Sequence, residues 1–335
     1  MAVADAPVLP GTPAVSVVVP TCGRAALLAR CIDALLLQDL PAGQFDIIIV
    51  DDGPTEGTRT LVADIAARAR GAGIALAYAA NRGRHGPAAA RNLGWHRSGA
   101  PIVAFTDDDT VPSPGWLRHG LAAFGPGVDA VCGPVRMPIP PSPTDYELDA
   151  SRLQTAEFVT ANCFVRKARL AALGGFDERF RRAWREDSDL HFRLIKADAV
   201  IARAELALVL HPVRPAPWGV SVRQVSKIAF DALLYKKHPG LYRARIRATP
   251  RWDYYAIVAA LLLLGVALGV RSTALALLAA LVWLGLTARF VATRLRGTSR
   301  SLSHLAEMAI TSILIPPLAV FWRVLGAIKY RVRFA

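Results

Sequence analysis

The first two thirds of the chain alternate between compact apolar runs and longer amphipathic stretches. Runs rich in β-branched residues are typical of buried parallel strands. They occur at 14–20, 45–50, 74–79 and 101–106. Helix-period stretches follow the first three runs, at 25–37, 56–70 and 87–96. This β-α-β-α-β-α-β order predicts an α/β domain in which helices cover a mostly parallel sheet.

Further along the same domain the pattern is more irregular. A proline-rich segment at 133–150 predicts a surface loop, and a short apolar run at 160–166 predicts a strand. Residues 186–196 predict an amphipathic helix that opens with acids, which suits the helix dipole. The strand-like run ALVLH ends this part of the chain at His211. We therefore expect a flexible N-terminus at 1–13 and a globular domain at 14–211.

After His211 the apolar runs lengthen. Residues 212–252 mix aromatic and basic side chains, which predicts an amphipathic interfacial connector. Two uncharged stretches, at 254–270 and 272–288, then predict a tight helical hairpin at 254–288 within a membrane region at 253–335. The alternative is a set of hydrophobic cytosolic helices buried in an oligomer.

The third apolar segment, at 305–328, is interrupted by Pro316 and Pro317. Proline lacks a backbone donor, so we expect the helix to break there. The cations Lys329, Arg331 and Arg333 follow it. They favour a re-entrant or in-plane element over a full span.

The net charge of +14 is unevenly distributed. Up to His211 the chain has 22 Lys and Arg against 23 Asp and Glu, and from Pro212 onward it has 18 against 3. A basic region interleaved with apolar runs predicts contact with an anionic membrane and excludes a nucleic-acid-binding front domain. Basic residues flank the hairpin on both sides, whereas its turn carries only Arg271. This bias predicts a cytoplasmic-membrane protein with a cytosolic catalytic domain.

Carboxylates cluster where two predicted strands end. Asp51 and Asp52 close the second strand, and Asp107, Asp108 and Asp109 close the fourth. Ligands of open parallel sheets bind at the carboxyl ends of strands. Three adjacent carboxylates there favour a divalent metal, Mg²⁺ or Mn²⁺, bridging to phosphates. The chain has neither a P-loop nor a GxGxxG sequence, which disfavours a nicotinamide oxidoreductase.

Two further groups suit the same chemistry. Arg82, Arg84 and Arg91 lie in or just after the loop that follows the third strand, where they could neutralise a diphosphate. At 186–189 the sequence Glu-Asp-Ser-Asp offers a carboxylate as general base toward an acceptor hydroxyl. Helix capping by these acids is the alternative interpretation.

Six segments, in this order, resemble glycosyltransferase family 2, whose enzymes have the GT-A fold. They are VSVVVPTCGR, IIIVDDGPTEGT, NRGRHGPAAARNLG, FTDDDTVP, GGFDERF and EDSDLHFRL. The resemblance covers residues 14–211. It implies a GT-A nucleotide-sugar-binding domain, followed here by C-terminal transmembrane or interfacial helices, and inverting, metal-dependent transfer of a sugar.

The resemblance also implies roles for individual residues. It makes Asp187 the catalytic base, with Glu186 and Asp189 as supporting or alternative acids. It places Asp109 on the metal as the last acid of the DxD motif, with His211 as a further metal or phosphate ligand. The residues that it assigns to the nucleotide-sugar are Pro20, Thr21, Arg24, Asp52, Arg91, Asp107 and Asp108.

One family feature is missing. Processive synthases of this family carry a QxxRW motif, but Gln224 is not followed by Arg-Trp. We therefore expect a hexosyltransferase-type enzyme that adds one sugar to a membrane-associated acceptor, a lipid-linked saccharide or another lipid, in cell-envelope polysaccharide or glycolipid biosynthesis. One alternative is a catalytically inactive GT-A domain that acts as a membrane-anchored scaffold or sugar-binding module. A nucleotidyltransferase is a weaker alternative.

Overall fold

A computed structural model of the protein describes residues 12–334. The predicted flexible N-terminus, apart from residues 12 and 13, lies outside them. The described chain divides into two compact units. The first comprises 12–138 and 152–212, and the second comprises 139–151 and 213–334.

In the described residues the first unit contains ten strands and six α-helices. The strands are β1 Val15–Thr21, β2 Phe45–Asp51, β3 Ala75–Ala80, β4 Ile102–Phe105, β5 Val111–Pro112, β6 Val128–Cys132, β7 Val135–Arg136, β8 Cys163–Arg166, β9 Val200–Arg203 and β10 Val209–Leu210. The helices up to this point in the chain are α1 Ala25–Leu36, α2 Glu56–Gly71, α3 Pro87–Arg97, α4 Trp116–Ala122, α5 Asp145–Ser151, α6 Lys167–Leu173 and α7 Glu186–Lys196. Of these, α5 belongs to the second unit.

Seven strands form one sheet in the order β3-β2-β1-β4-β8-β6-β9. The pairs β1–β2, β1–β4, β2–β3 and β6–β9 are parallel, whereas β8 runs antiparallel to β4 and β6. The predicted mostly parallel α/β sheet is therefore confirmed. A second, three-stranded sheet has the order β5-β10-β7, with β10 parallel to β7.

Both faces of the large sheet are buried. Along β1, Val17 and Val19 belong to one apolar cluster and Val18 belongs to the other. Successive side chains of a strand point to opposite faces, so helices must cover both sides. This is why the strands read as continuous apolar runs and why the polar side chains collect at their ends.

The second unit is helical. Short helices come first, namely α8 Val220–Gln224, α9 Ala229–Lys237 and α10 Pro239–Arg245, with a 3₁₀ turn at Val225–Ile228. Three long helices follow, α11 Trp252–Gly269, α12 Thr273–Arg294 and α13 Leu302–Tyr330. By length and composition each of these three could cross a membrane.

Two expectations are corrected in this unit. The segment at 305–328 is not broken, because α13 continues through Pro316 and Pro317. Proline is tolerated in a helix that is packed among neighbouring helices. Pro316 is buried, and Ile315 and Ala319 beside the pair pack in one cluster with Tyr254 and Phe290.

The second correction concerns 139–151, which the sequence places inside the domain at 14–211. This segment groups with the second unit and includes α5. Its Asp145 accepts from Arg294 at 2.7 Å, and the Arg294 side chain is only 7% exposed. A nearly buried guanidinium requires such a partner, which explains the grouping.

Candidate active site

The turn at Asp107–Asp109 follows β4, and hydrogen bonds of two threonines hold it in place. Thr110 donates from its backbone N–H and from its hydroxyl to the carbonyl of Asp107, at 3.2 and 2.7 Å. The Thr110 and Thr106 hydroxyls lie 2.7 Å apart, and Thr106 donates to the carbonyl of Ala161 at 2.9 Å. The three carboxylates therefore leave a rigid turn in defined directions.

Asp108 points inward. Its Oδ2 accepts from Thr21 Oγ1 at 2.6 Å and from Arg24 Nε at 2.9 Å, while Arg24 Nη2 lies 2.8 Å from Oδ1. The side chain is fully buried, and this burial raises its pKa to about 6. In this structure Asp108 therefore contacts Thr21 and Arg24 and is closed to solvent. The nucleotide contact predicted for Asp108 and Thr21 stays a prediction.

The other two acids of the turn face His211. Carboxylate oxygens of Asp107 and Asp109 and a ring nitrogen of His211 all lie within 4.8 Å of one another. The β10–β7 pairing places the imidazole there, since the His211 N–H donates to the carbonyl of Arg136 at 2.7 Å. The buried Nδ1 of His211 has no hydrogen-bond partner among the described residues.

This donor set fits a divalent cation. Two carboxylates and an imidazole suit Mn²⁺, and the carboxylates also suit Mg²⁺. The ring faces these carboxylates, since its Nε2 lies 3.6 Å from Asp109 Oδ1. The three residues could hold the metal that the sequence implies.

Arg91 joins this cluster to α7. Its Nη2 lies 2.7 Å from Asp107 and its Nη1 lies 3.1 Å from Glu186. Burial opposes ionisation of Asp107, but the charge of Arg91 outweighs it and lowers the pKa of Asp107. Burial, followed by the charge of Asp187, raises the pKa of Glu186 to about 7. The bridge brings together two acidic groups that lie far apart in sequence.

The start of α7 has an unusual backbone. Arg185, just before the helix, adopts a φ of 74°, which is rare for a residue with a side chain and often marks functional sites. Asp187 is half-buried, and its Oδ1 accepts from the backbone N–H of Ser188 at 2.6 Å. Asp189 is fully buried and accepts from Arg193 at 2.8 Å. Of these two acids, Asp187 is the one that a ligand could reach.

Asp52 orders the loop after β3. Its two oxygens accept from Asn81 Nδ2 at 2.6 Å and from the Gly86 N–H at 2.7 Å. The loop arginines Arg82 and Arg84 are exposed. Pro20 is buried in β1 beside Val50. The predicted pocket residues therefore meet at the carboxyl ends of β1, β2 and β4, although several of them contact one another.

Two asparagines of the site were not among the predicted residues. Asn81 supports Asp52, as above. Asn92 accepts from the Phe176 N–H at 2.8 Å and donates to the Phe176 carbonyl at 2.9 Å, which fixes the segment GGFDERF before α7. Asn92 directly follows Arg91 on a helix, and a polar residue at a buried helical position is the signal that could have revealed it.

Comparisons with known proteins point to one family. Residues 16–171 match the profile of Glycosyl transferase family 2. Glycosyltransferase AglE of Haloferax volcanii is 30% identical over 215 residues, covering 61% of this chain and 68% of AglE. Validoxylamine A glucosyltransferase of Streptomyces hygroscopicus subsp. jinggangensis is 29% identical over 220 residues, covering 54% of this chain and 51% of that protein.

One solved structure resembles nearly the whole chain. The mannosyltransferase PcManGT of Pyrobaculum calidifontis, in complex with GDP-Man and Mn²⁺, has a TM-score of 0.58 at 19% identity and covers 96% of this chain and 88% of that chain. At this identity the likeness concerns the fold.

The family match and the curated relatives identify the chain as a glycosyltransferase, and the fold gives it a GT-A-like core. The chain belongs to glycosyltransferase family 2. The predicted family, fold class and enzyme class are confirmed.

Proposed function

We propose that this enzyme transfers a single sugar, with inversion, from a nucleotide-sugar donor to a membrane-associated acceptor. The observation that carries the proposal is the Arg91 bridge. It connects Asp107, which lies in the possible metal cluster, to Glu186, which immediately precedes Asp187. Donor side and acceptor side are thereby held in one rigid arrangement, as catalysis by orientation requires.

Asp107, Asp109 and His211 are the residues that would hold Mg²⁺ or Mn²⁺. When bound, such a cation supplies positive charge to the departing diphosphate. The PcManGT structure, which contains GDP-Man and Mn²⁺, supports this assignment by fold. Asp52, directly after β2, is the residue that we assign to the nucleotide base, and we assign Arg24 to the nucleotide-sugar as well.

Asp187 is our candidate base. Its half-buried carboxylate would take the proton of the acceptor hydroxyl while that oxygen forms a bond to the anomeric carbon. The bond from the anomeric carbon to the diphosphate oxygen breaks in the same displacement. Attack from the face opposite the nucleotide inverts the anomeric configuration.

The second unit supports a membrane location for the acceptor. It contains three helices that could cross a membrane, and the charge from Pro212 onward is net +15. The basic ends of the hairpin favour a cytosolic location for the catalytic unit under the positive-inside rule. A lipid or a lipid-linked saccharide would then meet the enzyme at the surface where it is embedded, in cell-envelope polysaccharide or glycolipid biosynthesis.

The test is a donor panel. Purified full-length protein is incubated with UDP-, GDP- and dTDP-sugars, Mn²⁺ and a membrane lipid extract, and products are identified by mass spectrometry. We expect one donor to be consumed and one hexose mass to be added to an extract lipid. The product must be absent with Asp187→Asn. If no donor binds and none is consumed, the scaffold alternative is favoured instead.

A further inference from the structure

The position of α13 relative to the hairpin bears on how the enzyme sits in the bilayer. The base of the hairpin is the end at which α11 begins and α12 ends. Tyr254 and Phe290 pack edge-to-face there at 5.3 Å, and Arg251 pairs with Asp253 at 2.5 Å. These charges mark the level at which the hairpin leaves the hydrocarbon.

This base contacts α13 near its middle. Arg294, the last residue of α12, donates to Thr311 Oγ1 at 2.7 Å and to Ser312 Oγ at 3.0 Å. Ile315 and Ala319 pack with Tyr254 and Phe290 in one apolar cluster. A helix that spanned beside the hairpin would thus have only about half of its 29 residues in the hydrocarbon, fewer than the roughly 20 that a span needs.

The segment 219–237, which includes α8 and α9, runs along nearly the whole of α13. The Gly219 N–H donates to Glu307 at 2.7 Å, Gly326 packs closely on Ala229, and Lys236 donates to the Tyr330 carbonyl at 2.7 Å. If α13 crossed the membrane, this segment would cross with it. It contains the exposed Arg223 and Lys236, whose transfer into hydrocarbon is costly.

The side chains of α13 are sorted by face. The buried face includes the polar residues His304, Thr311, Ser312 and Arg323. The opposite face exposes Ile310, Ile313, Leu314, Phe321, Val324 and Ile328, which recur at helical spacing in both halves. Exposed cations stand close by, at Arg223, Lys236, Lys329, Arg331 and Arg333. An apolar stripe beside cations is the pattern of a helix in the membrane interface.

We propose that α13 lies in the plane of the bilayer surface, seated among anionic lipid headgroups, and that only α11 and α12 cross. The apolar stripe enters the boundary between headgroups and acyl chains, and the cations meet lipid phosphates. Residues 331–334 then remain on the side of Arg251 and Arg294. The proposal rests on the membrane association proposed above but not on catalysis.

Cysteine labelling tests this topology in the full-length protein. Cys22 is exposed and is replaced by serine, whereas the other three cysteines are buried and stay. Single cysteines replace Arg271 in the hairpin turn, Arg300 before α13 and Arg333 after it. An impermeant maleimide is applied to inverted membrane vesicles before and after permeabilisation, with variants accepted only if they keep the parent melting temperature.

We expect Arg300→Cys and Arg333→Cys to label in intact vesicles and Arg271→Cys to label only after permeabilisation. Arg333→Cys behaving like Arg271→Cys would mean that α13 spans, and would overturn the proposal. Labelling of all three sites in intact vesicles would also overturn it, because the hairpin would then not cross. Because the readout is labelling, its outcome is separate from that of the donor panel.

Immersion depth tests the lipid partner. Nitroxides are attached to cysteines replacing Ile310, Phe321 and Ile328, and depth is measured from oxygen and nickel-chelate collision rates in phosphatidylcholine vesicles with or without phosphatidylglycerol. We expect equal depths at the three sites and deeper immersion with the anionic lipid. If Phe321 lies much deeper than Ile310 and Ile328, the in-plane orientation is contradicted. If the depths are the same with and without phosphatidylglycerol, the anionic lipid partner is contradicted.

Discussion

Arg91 on α3 and Glu186 on α7 form an ion pair at 3.1 Å, with their side chains only 3% and 4% exposed. Burying two charges is costly unless each is fully paired, and Arg91 has Asp107 as its second partner. The pair therefore sets the distance between the strand-end acids and the start of α7. The pair also holds Glu186 in place next to the half-buried Asp187.

Replacing Arg91 by glutamine should leave two buried carboxylates without a cation. We expect the free energy of unfolding to fall by about 3–5 kcal/mol and activity to be lost. Arg118→Gln is the matched control, because Arg118 pairs with Asp39 on the surface, where an ion pair adds little to stability. The stability of both variants is measured by thermal unfolding in detergent. A loss in Arg91→Gln no larger than in Arg118→Gln would show that the bridge is not needed.

The Glu186 carboxyl should make the free energy of unfolding fall as the pH rises. Its pKa rises from 4.5 to about 7 on folding, so the native state binds more protons between these values. Stability contributed by this group is therefore full below about pH 4.5 and is lost as the pH rises toward 7. We expect Glu186→Gln to flatten this part of the melting profile when measured in chelator. An unchanged slope would be inconsistent with the assigned group.

The two aspartates of α7 should respond differently to the same change. Asp187→Asn should lower transfer by roughly 10²–10⁴-fold and leave donor affinity unchanged, because a general base acts on the acceptor proton. Asp189→Asn weakens the buried pair with Arg193 and should lower the melting temperature. Transfer rates and donor titrations distinguish the two. Near-normal transfer by Asp187→Asn would rule out its role as base.

Removing the imidazole of His211 should weaken metal binding. We expect His211→Ala to lower Mn²⁺ affinity by roughly tenfold or more, as loss of a group at a metal site does. The free Mn²⁺ signal in electron paramagnetic resonance reports the affinity directly, without turnover. His119→Ala, on α4, serves as control and should bind as the parent does. Equal affinity in both variants would place His211 outside the metal site.

The loop after β3 offers a matched pair of glycines. Gly86 has a φ of +124°, and a Cβ there would lie 2.8 Å from the carbonyl oxygen of Arg181. Gly83 has an ordinary φ, and its Cβ would meet only Asn81 Oδ1, at 3.6 Å. We expect Gly86→Ala to cost about 1–3 kcal/mol of stability and to reduce donor affinity, with Gly83→Ala near neutral. Equal melting temperatures for the two variants would contradict this account.

The parallel order of β1 to β4 could be predicted from sequence because each strand is a compact apolar run and each helix repeats every 3.6 residues. The acids at 51–52, 107–109 and 186–189 were found for the same reason, since they interrupt that pattern at its ends. Family resemblance supplied the roles that spacing alone leaves open.

The directions of individual side chains could not be predicted. Asp107, Asp108 and Asp109 are identical in sequence, but only the turn held by Thr106 and Thr110 determines which one points inward. The proline pair of α13 misled for a related reason. The local rule against proline does not include packing between helices, and Ile315 and Ala319 beside the pair pack with Tyr254 and Phe290.

The short pairing of β10 with β7 also determines where a truncated form of the protein can end. The profile match ends at residue 171, before Asp187 and before the strand that delivers His211. A fragment cut at that boundary would retain Asp107, Asp108 and Asp109 yet lack the imidazole beside them. It would also leave Arg91 without its partner on α7. Expression trials aimed at a minimal catalytic piece should therefore extend through residue 212.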